Sequence, residues 1–175
     1  MHSFDRAFSV YPYNSVMQRS LSSFKYHGRR EYAKFYASGI FKEFHGMLSD
    51  IRPDILVPVP VHEERLRNRG YNQAHLIAAE LSFLSGIPVA PDLLIRCKKT
   101  TAQKELGPDM RRKNLSGAFA INDRSLWYNK YIRTALLVDD IYTTGSTADI
   151  CASVLKSCGI RHVYVVCVAG VQADI

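Results

Sequence analysis

The residues best suited to chemistry in this sequence lie in one run, ALLVDDIYTTGST, from Ala135 to Thr147. An apolar stretch leads into two adjacent aspartates, Asp139 and Asp140, and a segment rich in hydroxyl groups follows them. Carboxylates accept hydrogen bonds from sugar hydroxyls, and they bind Mg²⁺ directly or through water. The run therefore predicts a binding site in which the two acids are the central groups.

The segment that follows the acid pair has the composition of a phosphate cradle. It supplies hydroxyl groups, a closely approachable glycine backbone and the start of a predicted helix: Thr143, Thr144, Gly145, Ser146 and Thr147. Backbone N–H groups at a helix N-terminus bind anions. A surface turn with a helix cap is the alternative, because Ser, Thr and Asp favour such positions. The acid pair before the segment favours a sugar-phosphate site, in which the cradle holds the 5-phosphate and the carboxylates hold ring hydroxyls.

Positive charge is concentrated in one part of the chain, whose formal net charge is +7. Between residues 96 and 113, basic side chains outnumber acidic ones: Arg96, Lys98, Lys99, Lys104, Arg111, Arg112 and Lys113 against Glu105 and Asp109. Such a surplus fits an anionic ligand or a nucleic acid, and a solvated loop is the alternative. Gly107 and Pro108 and the scarcity of apolar residues predict a mobile segment over about 98–113.

Hydrophobic periodicity predicts the elements that position these groups. Apolar residues at three- and four-residue spacing predict helices, and short apolar runs predict strands. The predicted helices cover about 30–49, 74–84 and 147–157, and the predicted strands cover about 55–59, 93–97, 118–121, 132–138 and 163–169. The alternation indicates an α/β fold with a mainly parallel sheet covered on both faces. Ligands bind at the carboxyl ends of such strands, where the acid pair would lie.

Composition limits the other possibilities. The 175 residues are 47% apolar and 22% charged, which suits a single domain over 1–175. No apolar stretch is long enough for a membrane span and the start of the chain lacks a signal-peptide core, so we expect a cytoplasmic protein. The four cysteines form no CxxC pair and lie mostly in apolar segments, so we expect reduced, buried thiols.

The Ala135–Thr147 run resembles, over its whole length, the phosphoribosyl-pyrophosphate motif of the type I phosphoribosyltransferases. Three further segments look like the ComF/GntX branch of that superfamily: FKYHGRREYAKF near the start, VPVPVHEERLRNRGYNQA over Val57–Ala74, and the Gln103–Phe119 region with Arg111, Asn114 and Phe119. The resemblance covers nearly the entire chain. Many members of that branch carry an N-terminal zinc module with four cysteines, which has no counterpart in this sequence.

The resemblance implies a type I phosphoribosyltransferase fold with a small hood that includes residues 1–50, an α/β core over 51–175 and a flexible loop at about 98–113. It implies Mg²⁺ as cofactor, held by Asp139 and Asp140 through water. It implies that an acceptor, often a nitrogen, displaces pyrophosphate from phosphoribosyl pyrophosphate. Developing negative charge on pyrophosphate needs cations in place, and arginine binds phosphate oxygens at two points.

The same resemblance suggests which residues hold the leaving group. The loop after the strand at 55–59 supplies the backbone around Val61 and His62 and the side chains of Arg67 and Arg69, although an ordinary charged loop is the alternative. Arg111 is the first choice for a lid contact that excludes water from the reaction. Tyr142 could line the position where the acceptor stacks, or it could pack in the hood.

Two functional hypotheses follow. The first is a phosphoribosyltransferase with an unidentified acceptor and catalytic residues Asp139, Asp140 and Arg111. The second is a non-catalytic accessory protein of competence and DNA uptake, in which the basic segment contacts single-stranded DNA or a competence protein. DNA binding needs no acid pair in front of a phosphate cradle, so the sequence favours the enzyme. A homodimer is compatible with either hypothesis.

Overall fold

The computed structural model describes residues 2–97 and 117–171. In chain order, the elements in these ranges are β1 (Arg6–Pro12), α1 (Ser15–Tyr26), α2 (Tyr32–Ile51), β2 (Ile55–Pro58), α3 (Glu63–Arg69), α4 (Gln73–Ser85), β3 (Leu94–Arg96), β4 (Phe119–Ile121), β5 (Thr134–Tyr142), α5 (Ser146–Ser157) and β6 (His162–Gly170). None of the helices in these ranges has both the length and the hydropathy needed to cross a lipid bilayer.

Four parallel strands form the main sheet, in the order β1-β6-β5-β2. The central strand β5 is buried from Thr134 to Val138, and such continuous apolar strands need cover on both faces. Helix α5 packs on one face, and α1, α2 and α4 pack on the other, so the sheet separates two apolar clusters. The predicted α/β fold, with a parallel sheet flanked by helices, is confirmed.

Strand β5 extends further than the sequence predicted. The predicted strand ended at residue 138, but β5 continues through the acid pair to Tyr142, with Asp139 opposite Cys167 of β6. The predicted end was wrong because it followed hydrophobicity, whereas the backbone ladder to β6 continues whatever the side chains are. The two acids therefore lie on a strand, and successive strand side chains point to opposite faces of the sheet.

The start of the chain contains a strand and a helix that were not predicted. Residues 1–50 were grouped with the hood, but β1 pairs with β6 at the edge of the main sheet. Helix α1 begins after Asn14, whose side chain accepts the N–H of Met17 at 3.0 Å. Its buried residues are Met17, Leu21 and Phe24, one helical turn apart. Serines and other polar residues fill the rest of α1 and obscure this spacing.

A second, smaller sheet consists of β3 and β4, which pair antiparallel with Arg96 opposite Phe119. The sequence predicted both strands, on either side of the basic segment. The predicted lid at about 98–113, which includes Arg111, lies outside the described residues.

The cysteines only partly match their predicted burial. Cys151 and Cys167 are buried, and burial raises the pKa of both thiols. Cys158 is half-buried, and Cys97 is exposed because it follows the last residue of the outer strand β3. All four thiols are free.

Candidate functional site

The acid pair leaves the end of β5 on opposite sides of the sheet. Asp140 points towards α1 and is almost fully buried, and its carboxylate forms an ion pair with the Nζ of Lys25 near the end of that helix. Asp139 points towards the other face, in the electrostatic field of Arg96 and Cys151. Its Oδ1 accepts the backbone N–H of Asp140 at 2.8 Å. The edge of the sheet thus presents one carboxylate on each face.

The surroundings of Asp139 disfavour its charged form. Burial raises the pKa of Asp139 well above its usual range, and the carboxylate of Asp140 raises it further. The ammonium of Lys25 acts in the opposite direction but does not outweigh these effects. Burial and the adjacent carboxylate thus disfavour the ionised form of Asp139, and a bound cation would favour it.

The predicted phosphate cradle is a tight turn between β5 and α5. Gly145 is the N-cap of α5 with φ of 72°, a conformation that glycine adopts without strain. A Cβ at this position would lie 2.6 Å from the Oη of Tyr142. Thr143 and Thr144 are exposed, and the Oγ1 of Thr144 lies 2.8 Å from the Oγ of Ser146. The turn therefore presents hydroxyl groups beside the N-terminus of α5.

Tyr142 supports this turn from below. Its ring is buried and contacts Phe4 edge to face at a centroid distance of 6.2 Å. Of the two roles considered for Tyr142, the structure shows packing, against Phe4 in the segment 1–50 that the resemblance assigns to the hood. Its hydroxyl lies beneath Gly145, which explains why a bulky aromatic residue stands among small ones in the motif.

The turn after β2 lies next to the acid pair. The Val59 N–H donates to the carbonyl of Val138, immediately before Asp139, at 2.9 Å. Asn72 holds the turn in place, because its side-chain amide donates to the Val59 carbonyl at 3.0 Å while its Oδ1 caps α4. The backbone of Val61 and His62, predicted to bind pyrophosphate, follows this anchored residue. The His62 ring also caps α3 by accepting the Glu64 N–H at 3.3 Å.

The two arginines predicted to hold pyrophosphate have different surroundings. They were expected in a loop, but they lie on α3, a helix the sequence analysis missed. Arg67 is exposed and pairs with Glu63 at 3.6 Å. Arg69 lies over the ring of Tyr26, with its guanidinium 5.2 Å from the ring centroid, and donates to Gln73. Arg69, but not Arg67, lines a cavity that Lys25 also lines.

Two cations near the acid pair were missed as site residues. Lys25 was missed because α1 was not predicted, although FKYHGRR was recognised as a family-like segment. Arg96 was counted only as part of the basic surplus. Its guanidinium lies 5.2 Å from the centroid of Phe119. Burial, and then the positive charge of Arg65, lower the pKa of Arg96, whereas Asp139 raises it. For Lys25, the sequence feature that could have indicated a site residue was the family-like segment around it. For Arg96, it was the position at the end of a predicted strand.

The acid pair fits a weakly held Mg²⁺. This ion keeps several waters and is bound in proteins by one or two carboxylates together with substrate phosphates. Asp139 and Asp140 provide two carboxylates at one edge of the sheet, and the raised pKa of Asp139 is the response expected where a cation is needed. Within the described ranges, no group of three or more His, Cys, Asp or Glu residues could hold a metal on its own. The substrate would have to supply the remaining ligands.

The chain is similar to competence proteins. Competence protein F of Haemophilus influenzae is 36% identical over 114 residues, covering 65% of this chain and 48% of that protein. Competence protein ComFC of Bacillus subtilis is 33% identical over 160 residues, covering 86% and 58%. DNA utilization protein YhgH of Escherichia coli O157:H7 is 32% identical over 115 residues, covering 66% and 48%. The chain thus spans about half the length of the curated relatives it matches.

A structural comparison gives a weaker likeness. The crystal structure of a purine phosphoribosyltransferase from Pyrococcus horikoshii Ot3 is 18% identical and has a TM-score of 0.47, covering 78% of this chain and 73% of that chain. No family model matches the sequence.

Proposed function

We propose that the chain is a phosphoribosyltransferase of the ComF branch with the type I fold of that superfamily. It binds phosphoribosyl pyrophosphate with Mg²⁺ and transfers the phosphoribosyl group to a nitrogen acceptor. One observation carries this proposal: the acid pair and the phosphate cradle are joined in a single β5–turn–α5 unit, at the carboxyl edge of a parallel sheet. Ligands bind at this edge in open α/β folds. The similarity to competence proteins of the ComF type supports the same branch.

Different residues of the site bind different parts of phosphoribosyl pyrophosphate. The turn from Thr143 to Thr147 receives the 5-phosphate, because its hydroxyls and the N-terminus of α5 favour an anion. The carboxylates of Asp139 and Asp140 accept hydrogen bonds from the two ribose hydroxyls. The backbone of Val61 and His62 faces the pyrophosphate side, and the sequence predicts that Arg111 completes it.

The transfer itself is a substitution at C1 of the ribose. The lone pair of the acceptor nitrogen forms the bond to C1, and the bond from C1 to the pyrophosphate oxygen breaks, with its electron pair leaving on pyrophosphate. An acceptor nitrogen that carries a proton releases it to water. Mg²⁺ held by Asp139 and Asp140 would neutralise part of the charge on that leaving group. The protein's cations stabilise the remaining charge, which is larger in the transition state than in the substrate.

A pyrophosphate-release assay tests the proposal. The full chain is incubated with phosphoribosyl pyrophosphate, Mg²⁺ and a panel of nucleobases and small amines. We expect one acceptor class to give release that Asp139→Asn reduces at least tenfold, since a charge-assisted hydrogen bond is lost. Asp123→Asn, on an exposed loop, is the matched control. Equal release by both variants would refute the assignment of the acid pair.

A second candidate function is DNA handling without catalysis, favoured by the name of the Escherichia coli relative, DNA utilization protein. The basic surplus at residues 96–113 supplies charge for a phosphate backbone. This function predicts that neutralising Lys98, Lys99, Arg112 and Lys113 abolishes binding of a single-stranded oligonucleotide at physiological salt, while Asp139→Asn preserves it. The transferase predicts weak, strongly salt-dependent DNA binding and loss of activity in Asp139→Asn.

A further inference from the structure

A small cavity on the α1 side of the sheet adjoins Lys25, the ion-pair partner of Asp140. Its volume is about 270 Å³, and it lies between the end of α1 and helix α3, lined by Lys25, Tyr26, Gly28, Arg65, Asn68, Arg69 and Tyr71. We call it the Lys25 cavity. We propose that the Lys25 cavity binds the acceptor, and that this acceptor is a planar, single-ring anion. The identification as the acceptor site rests on the proposed function, whereas the preference for a planar anion can be tested without it.

The position of the cavity identifies its occupant as a neighbour of the sugar. Lys25 lines the cavity and pairs with Asp140, so the cavity wall and the proposed ribose site share this ion pair. The phosphate cradle follows β5 into α5, on the opposite face of the sheet from α1. A molecule in the Lys25 cavity therefore lies on the side of the ribose away from the 5-phosphate cradle, where the second reactant is needed.

The charge of the lining selects an anion. Three of the seven lining residues are cationic, and none is acidic. Lys25 is neutralised by Asp140, but within the described ranges neither Arg65 nor Arg69 forms an ion pair. The contacts of Arg69 are the amide oxygen of Gln73 and the ring of Tyr26, both of which are neutral. An anion in the cavity would meet positive charge that the described part of the protein leaves uncompensated.

The shape of the lining selects a flat ring. Tyr26 is 72% exposed, so its ring is available to a ligand beside the guanidinium of Arg69. Tyr71 is buried, its hydroxyl donates to the carbonyl of Phe24, and Arg30 lies over its ring at 4.7 Å. The buried ring of Tyr71 therefore forms part of the cavity wall, and the exposed ring of Tyr26 is the surface on which a flat ligand can stack. A cavity of about 270 Å³ is below the usual range for drug-sized ligands, which favours one ring over a nucleotide.

The test uses a probe that cannot react. Benzoate is a planar anion without a nucleophilic nitrogen, benzamide is its neutral counterpart, and cyclohexanecarboxylate is an anion without a flat ring. Calorimetry on the full chain measures the affinity of each. We expect benzoate to bind about tenfold more tightly than benzamide, the factor for one charge-assisted hydrogen bond, and more tightly than cyclohexanecarboxylate. Equal affinities for benzoate and benzamide would overturn the anion preference, and equal affinities for the two carboxylates would overturn the stacking role.

Variants locate the binding site. Arg65→Gln should remove most of the preference for benzoate, since this exposed arginine lines the cavity without an ion pair in the described ranges. Arg161→Gln is the matched control, because Arg161 is exposed just before β6, at the amino ends of the parallel strands and away from the cavity. A loss of preference in both variants, or in neither, would place the probe outside the Lys25 cavity and overturn the proposal.

Benzoate and pyrophosphate are both anions, so benzoate binding alone does not show whether the Lys25 cavity is the acceptor site or the pyrophosphate site. A competition experiment with pyrophosphate distinguishes the two. Benzoate should bind with unchanged or higher affinity when pyrophosphate and Mg²⁺ are present. Competition between the two would assign the Lys25 cavity to pyrophosphate and overturn the acceptor assignment. If benzoate binds as expected but phosphoribosyl pyrophosphate does not bind with Mg²⁺, the planar-anion site stands and the phosphoribosyltransferase function fails.

Discussion

Aspartates at the two ends of the main sheet have opposite surroundings. At the amino ends of the strands, Oδ2 of Asp54 accepts the N–H groups of Arg133 and Thr134, both at 2.8 Å, and Oδ2 of Asp5 accepts the N–H of Val163 at 2.8 Å. At the carboxyl ends, Asp139 and Asp140 are adjacent, and Lys25 forms an ion pair with Asp140. At the amino end the carboxylates fix strands through backbone hydrogen bonds, whereas at the carboxyl end two carboxylates stand on adjacent residues of one strand.

The pKa shifts of Asp5 and Asp139 show that ionised carboxylates have opposite effects on stability at the two ends of the sheet. Burial tends to raise the pKa of Asp5, but the Val163 N–H and the charge of Lys156 outweigh it and lower the pKa. Burial and a neighbouring carboxylate raise the pKa of Asp139. An ionised Asp5 therefore stabilises the fold, and an ionised Asp139 destabilises it. Unfavourable electrostatics are typical of functional sites, where a ligand supplies the missing partner.

The ion pair at the carboxyl end gives the largest predicted effect on stability. Lys25 is 19% and Asp140 6% exposed, so Lys25→Met leaves a nearly buried carboxylate without its partner. We expect a loss of about 3 kcal/mol in the free energy of unfolding. Lys25→Met combined with Asp140→Leu should recover most of that loss, because no charge is left unpaired. Urea denaturation measures both, and a double variant no more stable than the single one would contradict the account.

A substitution in the phosphate cradle is expected to reduce stability nearly as much as Lys25→Met. Gly145→Ala places a Cβ 2.6 Å from the Tyr142 hydroxyl at a positive φ, so we expect a loss of about 2 kcal/mol and weaker binding of phosphoribosyl pyrophosphate. Adding Tyr142→Phe removes the closest atom and should restore part of the stability. Thermal denaturation of the two variants checks this, and the absence of any rescue would show that backbone strain alone is responsible.

A substitution at the amino end of the sheet is expected to reduce stability less, and to leave the affinity for phosphoribosyl pyrophosphate unchanged. Asp54→Ala removes the acceptor for two backbone N–H groups, but water can replace it because Asp54 is exposed. We expect a loss of about 1 kcal/mol in the free energy of unfolding. Asp123→Ala, in an exposed loop, should cost less. If Asp54→Ala costs as much as Lys25→Met, the contrast between the two ends is wrong.

The smallest effects are the pH dependences, and they have opposite signs. The raised pKa of Asp139 means that its contribution to stability is complete below the unfolded pKa and is lost as pH rises through the folded pKa. The lowered pKa of Asp5 means that its contribution is present above the unfolded pKa and is lost as pH falls through the folded pKa. The free energy of unfolding should be measured across pH. Asp139→Asn should remove the loss of stability as pH rises, and Asp5→Asn should remove the loss of stability as pH falls.

The sequence predicted the groups that belong to one local unit. The acid pair, the cradle and the apolar strand before them are contiguous, so strand–turn–helix geometry places them together. Helix α4 (Gln73–Ser85) was predicted as 74–84, and α5 (Ser146–Ser157) as 147–157, because both have regular apolar spacing.

The sequence did not predict the groups that distant segments bring to the site. Lys25 reaches Asp140 from a serine-rich helix with only three buried residues, a pattern too sparse to recognise. Arg67 and Arg69 were treated alike, but α3 separates them because side chains two positions apart on a helix do not face the same way. Such placement depends on the packing of α1 and α3, which short-range patterns do not contain.

Calorimetric titration of phosphoribosyl pyrophosphate, with and without Mg²⁺, tests the central claim most directly. The claim is that the carboxyl end of the sheet is a ligand site and the amino end a structural anchor. We expect binding that requires Mg²⁺, at least tenfold weaker in Asp139→Asn because a charge-assisted contact is lost, and unchanged in Asp54→Ala. Absence of binding by the unaltered chain, or equal weakening by the two substitutions, would contradict the claim.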